Sequence, residues 1–261
     1  METVIKYVVK GEKAVFYPTD REKSYWPGED HVMPVTDMRP QVAELALEKN
    51  GFVLVREPSQ VTDFRDPEQI RNVYHAEIID LVKRLTGAEK VIVFGEVWRS
   101  DDPGIEDGRL PAYGAHVDYG ARSVRYFTEE VLGKEEADRW LKRRHVLMNL
   151  WRPIKTVYRT PLALCDASTV KRDDLYDSEV RGGLTDPNMP SLFGFNLSYN
   201  PEHRWYYAPG MEPDEVLAFK LFDSDSNRVQ WTGHTAVDDP TAGPDAPPRE
   251  SIEVRTVSFL S

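Results

Sequence analysis

The stretch Ala112-Tyr-Gly-Ala-His-Val-Asp-Tyr-Gly120 decides how the rest of the chain is read. As a β-strand it points residues two apart to one face. His116 and Asp118 then stand side by side, aimed at one point. That is two-thirds of the two-His-one-carboxylate set that holds non-haem Fe(II) with coordination positions left open. With 6 His in 261 residues, about half of one His-x-Asp triplet is expected by chance, so the triplet needs context. A rival, His75-Ala-Glu77, lies in the run 66–85. There Ile70, Val73, Tyr74, Leu81, Val82 and Leu85 recur at helical spacing, with Asp66 as N-cap and Pro67 in the first turn. On a helix, residues two apart diverge by roughly 200° and cannot share a metal. His75 is therefore rejected and His116 kept.

Outward from that triplet, the chain has the size of one large domain, 261 residues, and a globular composition: 40% hydrophobic and 30% charged. The net charge of −11 argues against a nucleic-acid partner, because phosphate binding needs a basic surface. One cysteine, Cys165, excludes an internal disulfide, and its apolar setting makes it a small buried hydrophobe. The first residues lack the apolar run of a signal peptide, and no run reaches the length of a membrane span. The expected location is cytoplasmic. Composition leaves the oligomeric state open.

Strands are expected over Thr3–Val9, Phe52–Arg56 and Lys90–Trp98, rich in Val, Ile and Phe. Helices are expected over Pro40–Lys49, over 66–85 and over Thr128–Arg144, the last with a break at Gly133. From His145 onward the pattern is strands: Val146–Trp151, Leu162–Cys165, Leu192–Tyr199, Arg204–Ala208, Val216–Phe222, Val229–His234 and Ile252–Leu260. A run of strands after early helices predicts a mainly β fold with supporting helices, a double-stranded β-helix (jelly-roll, cupin-like) core. Residues 1–90 would form an α/β support for a core at 91–261, all in one domain, with 166–190 inserted as a candidate lid hinged at Gly182-Gly183.

A third metal ligand must come from another strand. His234 is best placed, at the end of a hairpin before a Pro- and Gly-rich loop, although the same pattern suits a loop histidine bonded to backbone. His203 sits in a turn and is expected to face solvent. His145 closes a basic helix end, where a cation suits the helix dipole. Arg249-Glu-Ser251 is the only Arg-x-Ser in the chain. On a strand its two side chains share a face, and an Arg fork with a hydroxyl can hold the distal carboxylate of a keto-diacid. Arg255 has the same parity but lies roughly 20 Å further along an extended strand. Arg249 is preferred and Arg255 kept as the alternative. Tyr113, Tyr119, Trp98, Trp151 and Trp231 are near enough to line a pocket, or to be core. Asn149 and Arg152 are further pocket candidates, and Trp151 and Arg152 must face opposite ways.

His-x-Asp, a distant His and then Arg-x-Ser resembles the Fe(II)/2-oxoglutarate-dependent oxygenases. Three blocks carry a closer resemblance: Asn149-Leu-Trp-Arg-Pro153 with Pro161-Leu-Ala-Leu-Cys-Asp166; Trp205 to Ser224; and His234-Thr-Ala-Val-Asp-Asp-Pro240 through Arg255. They are similar to the branch that includes the cephalosporin 7α-methoxylation protein and fungal gibberellin-desaturase-like enzymes. The resemblance implies His116, Asp118 and His234 as ligands, Arg249 with Ser251 as the 2-oxoglutarate anchor, and O2 as co-reactant. It implies hydroxylation, desaturation or cyclisation of a small metabolite in a biosynthetic pathway, with 2-oxoglutarate decarboxylated to succinate. Asp118, where a halogenase would have Gly or Ala, leaves no vacancy for a halide. The alternatives are an iron oxidase of the same fold that does not use 2-oxoglutarate, against which Arg249 and Ser251 weigh, and a cupin-like binding protein.

Overall fold

The computed structural model describes residues 1–18, 20–105, 109–182 and 191–261. In chain order they form β1 (Glu2–Val8), β2 (Ala14–Phe16), β3 (Gly28–Asp37) and β4 (Phe52–Arg56). A helical run follows: α1 (Pro67–Gln69), one π turn (Ile70–Tyr74) and α2 (His75–Thr86). Next come β5 (Lys90–Ser100), β6 (His116–Val117), α3 (Ala121–Leu132) and α4 (Lys134–Trp140). The remainder is β7 (His145–Pro153), β8 (Leu162–Cys165), β9 (Leu175–Val180), β10 (Leu192–Leu197), β11 (Trp205–Tyr207), β12 (Glu215–Asp223), β13 (His234–Ala236) and β14 (Glu250–Phe259). Nine strands pair in the order β1-β3-β11-β8-β13-β6-β10-β9-β2, and five in the order β4-β12-β7-β14-β5. The result is the double-stranded β-helix, or jelly roll.

Sequence alternation explains why the smaller sheet is the spine. On β7, Leu147, Asn149 and Trp151 alternate with Met148, Leu150 and Arg152, and all are buried. A period-two strand covered on both faces reads as a nearly continuous apolar run. Leu147 and Trp151 join the core between the sheets with Leu164, Leu197 and Phe219. Met148 and Leu150 join a second core with Ile78, Leu81 and Val82 of α2. Each such side chain contributes about 1.5–3 kcal/mol on burial. The Asp66 side chain accepts from the Glu68 backbone N–H at 2.8 Å to start the helical run, and Gly87 ends α2 with φ 72°, a left-handed conformation that favours glycine.

Several expectations need correction. Pro40–Lys49 is no α-helix: a 3-10 segment over Arg39–Glu44 gives way to turns. The helix expected from Thr128 begins at Ala121, directly after Gly120, and breaks at Gly133 into α3 and α4. Val229–Gly233 is irregular, and the strand starts at His234. The first 90 residues supply strands to both sheets. Of the expected lid, Leu175–Val180 is strand β9, paired with β10 and β2, while 183–190 lie outside the described residues. His203 is buried, not solvent-facing: it stacks on Tyr7 and its Nε2 lies 3.2 Å from Asp174 Oδ2. His145 opens β7 instead of closing a helix. Its Nδ1 lies 2.9 Å from the Arg143 carbonyl, and burial pushes its pKa down, so it is no dipole-seeking cation.

Arg152 is also corrected. It faces the helix layer, away from the inner cavity. Nε donates to Tyr74 Oη at 2.9 Å, Nη1 to the Pro213 carbonyl at 2.6 Å and Nη2 to the Glu57 carbonyl at 2.6 Å. Arg152→Ala orphans those acceptors and opens a cavity, which should cost about 3–5 kcal/mol by urea unfolding. The folded fraction should bind metal normally. Loss of metal from fully folded Arg152→Ala protein would contradict this placement.

Candidate active site

Strand register brings the site together. His116 of β6 pairs with His234 of β13 on one side and with Asn196 of β10 on the other. Cross-strand partners share a face, so the two imidazoles stand together, ring centroids 4.3 Å apart. Asp118 follows β6 at the same parity as His116. Its Oδ1 lies 3.4 Å from His116 Nε2 and its Oδ2 3.6 Å from His234 Nε2. One ligand atom from each of the three residues lies within 4.8 Å of the other two, a cluster that can hold a metal ion.

The outer contacts set the chemistry of the cluster. His116 Nδ1 is 2.7 Å from the Gly114 carbonyl, and His234 Nδ1 is 3.3 Å from the Thr232 carbonyl. A carbonyl only accepts, so both Nδ1 atoms carry the proton and both Nε2 lone pairs face Asp118. Asn149 Nδ2 donates to Asp118 Oδ2 at 2.6 Å, which fixes the amide's orientation and leaves its buried Oδ1 without a partner among the described residues. Arg255 Nη2 lies 3.9 Å from the same Oδ2. Burial opposes the Asp118 charge, but Arg255 and the two histidines overcome it and hold the carboxyl well below its usual range. Burial likewise opposes a charge on His116, yet Asp118 raises its pKa. Two imidazoles that present Nε2 and one ionised carboxylate, converging on one point, fit a divalent iron.

The two candidate arginines separate. Arg255 is taken: it pairs with Glu253 Oε1 at 3.3 Å, approaches Asp118 and lies over the Tyr119 ring. Arg249 is buried, yet no carboxylate of the described residues lies within ion-pair distance of its guanidinium. Nε donates to Ser251 Oγ at 3.2 Å and Nη1 to the Thr160 carbonyl at 3.1 Å, and the guanidinium lies over the Trp151 ring. Burial and Arg99 push its pKa down to about 9, which still leaves it charged near neutrality. Arg249 lines a narrow crevice with His116, Asp118, His234 and Trp151, whose buried indole N–H also lacks a partner among the described residues. A buried unpaired cation and an orphaned donor beside a cluster that can hold a metal suit a carboxylate ligand.

The crevice opens into a cavity of about 560 Å³ that shares Arg99, Ala112, His116 and Asp118 with it. Of the expected pocket residues, Tyr113 lines this cavity, its hydroxyl donating to Asp238 Oδ1 at 2.6 Å. Trp151 lines the crevice. Asn149 meets Asp118 directly. Tyr119 packs on Phe94, Phe127 and Arg255. Trp231 lines neither space and stands at φ 67°. Phe16, Trp26, Arg109, Phe195 and Asn196 line the cavity and were not anticipated. Their only local signal is aromatic or polar character, since β2 and the segment around Trp26 reach the site from 90 or more residues upstream.

Comparison with known proteins agrees with the geometry. A family model described as an oxidoreductase/YMDC permease-like domain matches residues 5–259; no helix among the described residues is long and apolar enough to cross a membrane. The chain is 34% identical to the hydroxylase/desaturase efuI of Hormonema carpetanum, over 86% of this chain and 82% of the relative. It is 32% identical to the Fe(II)/2-oxoglutarate-dependent dioxygenase nvfI of Aspergillus novofumigatus, over 88% and 83%. A solved structure of the iron and alpha-ketoglutarate-dependent endoperoxidase NvfI superposes with a TM-score of 0.89 at 28% identity, covering 99% of this chain and 97% of that one. The chain belongs to the Fe(II)/2-oxoglutarate-dependent dioxygenases. It is an oxidoreductase that uses Fe(II), 2-oxoglutarate and O2, of a family that acts on small molecules.

One further residue positions the site. A Cβ on Gly194 of β10 would stand 2.2 Å from the Asp118 carbonyl oxygen and 2.3 Å from that of Val117. Both are backbone atoms, so the strand itself would have to move. Gly194→Ala should push Asp118 out of position and lower iron affinity by roughly tenfold or more. Gly95→Ala, where a Cβ meets nothing within 4 Å, should leave it unchanged. Equal iron titrations for the two variants would refute this role for Gly194.

Proposed function

We propose that His116, Asp118 and His234 hold the Fe(II), that Arg249 with Ser251 anchors the distal carboxylate of 2-oxoglutarate, and that a small metabolite binds in the adjoining cavity. The observation that carries this reading is Arg249: a buried guanidinium without an ion-pair partner among the described residues, lining the same crevice as the metal cluster. An oxidase of the same fold that ignores 2-oxoglutarate would have no use for that buried charge, nor would a cupin-like binding protein.

When bound, Fe(II) and 2-oxoglutarate supply O2 activation coupled to decarboxylation of the 2-oxoglutarate to succinate. The chain's own part is positional. Gly114 and Thr232 hold the imidazole protons on Nδ1, which keeps Nε2 available. Asn149 and Arg255 steady Asp118 as an anion. The crevice has room for about one water, about 10 Å³, so a keto-diacid reaching Arg249 must share the wider cavity. Apolar walls exclude water from the reacting end. Which substrate hydrogen those walls hold nearest the metal decides between hydroxylation, desaturation and ring closure. The chain would act as one catalytic domain in the cytoplasm, where its single buried thiol, Cys165, needs no disulfide partner. Its net charge of −11 supports a small-molecule partner over a nucleic acid.

Anaerobic titration with Fe(II) and 2-oxoglutarate, followed by the visible charge-transfer band, tests the assignment. Wild type should give the band. His116→Ala should lose iron, and His75→Ala should keep it. Arg249→Ala should keep iron while its 2-oxoglutarate affinity falls by about 2–5 kcal/mol. Undiminished 2-oxoglutarate affinity in Arg249→Ala, with a large loss in Arg255→Ala, would move the anchor to Arg255.

A further inference from the structure

The cavity of about 560 Å³ has mostly apolar walls, with Phe16, Pro18, Trp26, Leu110, Val180 and Phe195 among them. Two arginines interrupt those walls. Arg99 stands at the end of β5. Arg109 runs alongside it, with the Ser100 N–H donating to the Arg109 carbonyl at 2.8 Å. Arg99 spends one N–H on the Leu110 carbonyl at 2.8 Å. Neither guanidinium has an ion pair among the described residues. Asp118, at the metal end, is the sole carboxylate among the described residues that line the cavity. The Tyr113 hydroxyl is committed to Asp238. Burial, Arg99 and Arg255 all press the Arg109 pKa down, the mark of cations crowded without a counter-charge.

A second observation is independent of the arginines. Asn196, 2% exposed, lines the same cavity, and its buried Nδ2 has no hydrogen-bond partner among the described residues. Its Oδ1 accepts from Trp26 Nε1 at 3.4 Å, which fixes Nδ2 as the free end. Buried donors without acceptors are uncommon in folded proteins and point to a missing partner. The cavity therefore offers surplus positive charge and an unpaired donor, and among the described residues its one carboxylate lies at the metal end.

We propose that the substrate is a largely apolar molecule bearing a carboxylate, and that Arg109 and Arg99 hold that carboxylate in the cavity. Arg99 also lines the crevice, so it is shared with the cosubstrate end; Arg109 lines only the cavity and is the residue that distinguishes the two. The inference rests on the assignment of Fe(II) and 2-oxoglutarate only for where the reacting end lies.

The test uses the full chain loaded anaerobically with Fe(II) and 2-oxoglutarate. The probes are 1-pyrenebutyrate, its methyl ester and 1-pyrenebutanol, followed by fluorescence anisotropy. Wild type should bind the acid roughly tenfold or more tightly than the ester or the alcohol, the scale of one charge-assisted hydrogen bond. Arg109→Gln should erase that preference, Arg109→Lys should keep most of it, and neither should alter the charge-transfer band. Equal affinity for acid and ester in wild type would overturn the proposal. So would an acid preference that survives Arg109→Gln, or an acid that abolishes the band by displacing 2-oxoglutarate from Arg249. If wild type never forms the band, the cosubstrate assignment fails, while the acid-to-ester ratio on the same sample still decides the carboxylate site.

Discussion

Everything at the site depends on the register of a strand two residues long. β6 is His116 and Val117, pinned between β13 and β10. Because side chains alternate, a slip of one residue would turn His116 and Asp118 away from His234. The pinning extends beyond the two formal strand residues. The Ala115 N–H donates to Lys6, the Leu197 N–H donates to Ala115 and the Ala236 N–H donates to Ala112, at 2.7–2.9 Å. The Gly114 N–H adds a bond to Thr235 Oγ1 at 3.0 Å. The run from Ala112 to Asp118 is thus anchored from three strands, and the missing Cβ of Gly194 lets β10 close onto its end.

Charge completes what register begins. An ionised Asp118 inside a protein costs several kcal/mol unless paired. Asn149 and Arg255 supply that pairing from β7 and β14, where they are direct cross-strand partners. Glu253 then offsets Arg255. The same strand face carries Ser251, and Arg249 just precedes it. Two arginines of equal parity therefore stand in different surroundings, because Arg255 has carboxylates within ion-pair distance and Arg249, among the described residues, has none.

Much of this was legible locally. Alternation marks β7, β12 and β14, and strict parity joins His116 to Asp118 and Arg249 to Ser251. What sequence could not show is what arrives from far along the chain. His203 looks like a turn residue because Asp174 and Tyr7, which bury it, lie 29 and 196 positions away. The start of α3 was missed because Gly120 offers no capping side chain, and a helix without a cap has no local start signal. Arg152 gave an ambiguous signal: parity put it opposite Trp151, but only the Tyr74 hydroxyl and the Glu57 and Pro213 carbonyls make the outer face a place where a guanidinium can be buried. Gly194 carries no signal at all, because its role is to leave a space.

The walls and the metal end come from different parts of the fold. His116, Asp118, His234, Asn149 and Arg255 belong to central strands, or directly follow one, with paired neighbours on both sides. Much of the cavity wall comes from the edge strand β2, its neighbour β9, the Trp26 segment and the 109–114 loop, with Phe195 and Asn196 added from β10. Interior strands tolerate little change, since each substitution is felt by packed partners on two faces. Edge strands and loops tolerate much more. The architecture therefore separates a metal end that must stay fixed from a pocket whose volume and charge can be rewritten.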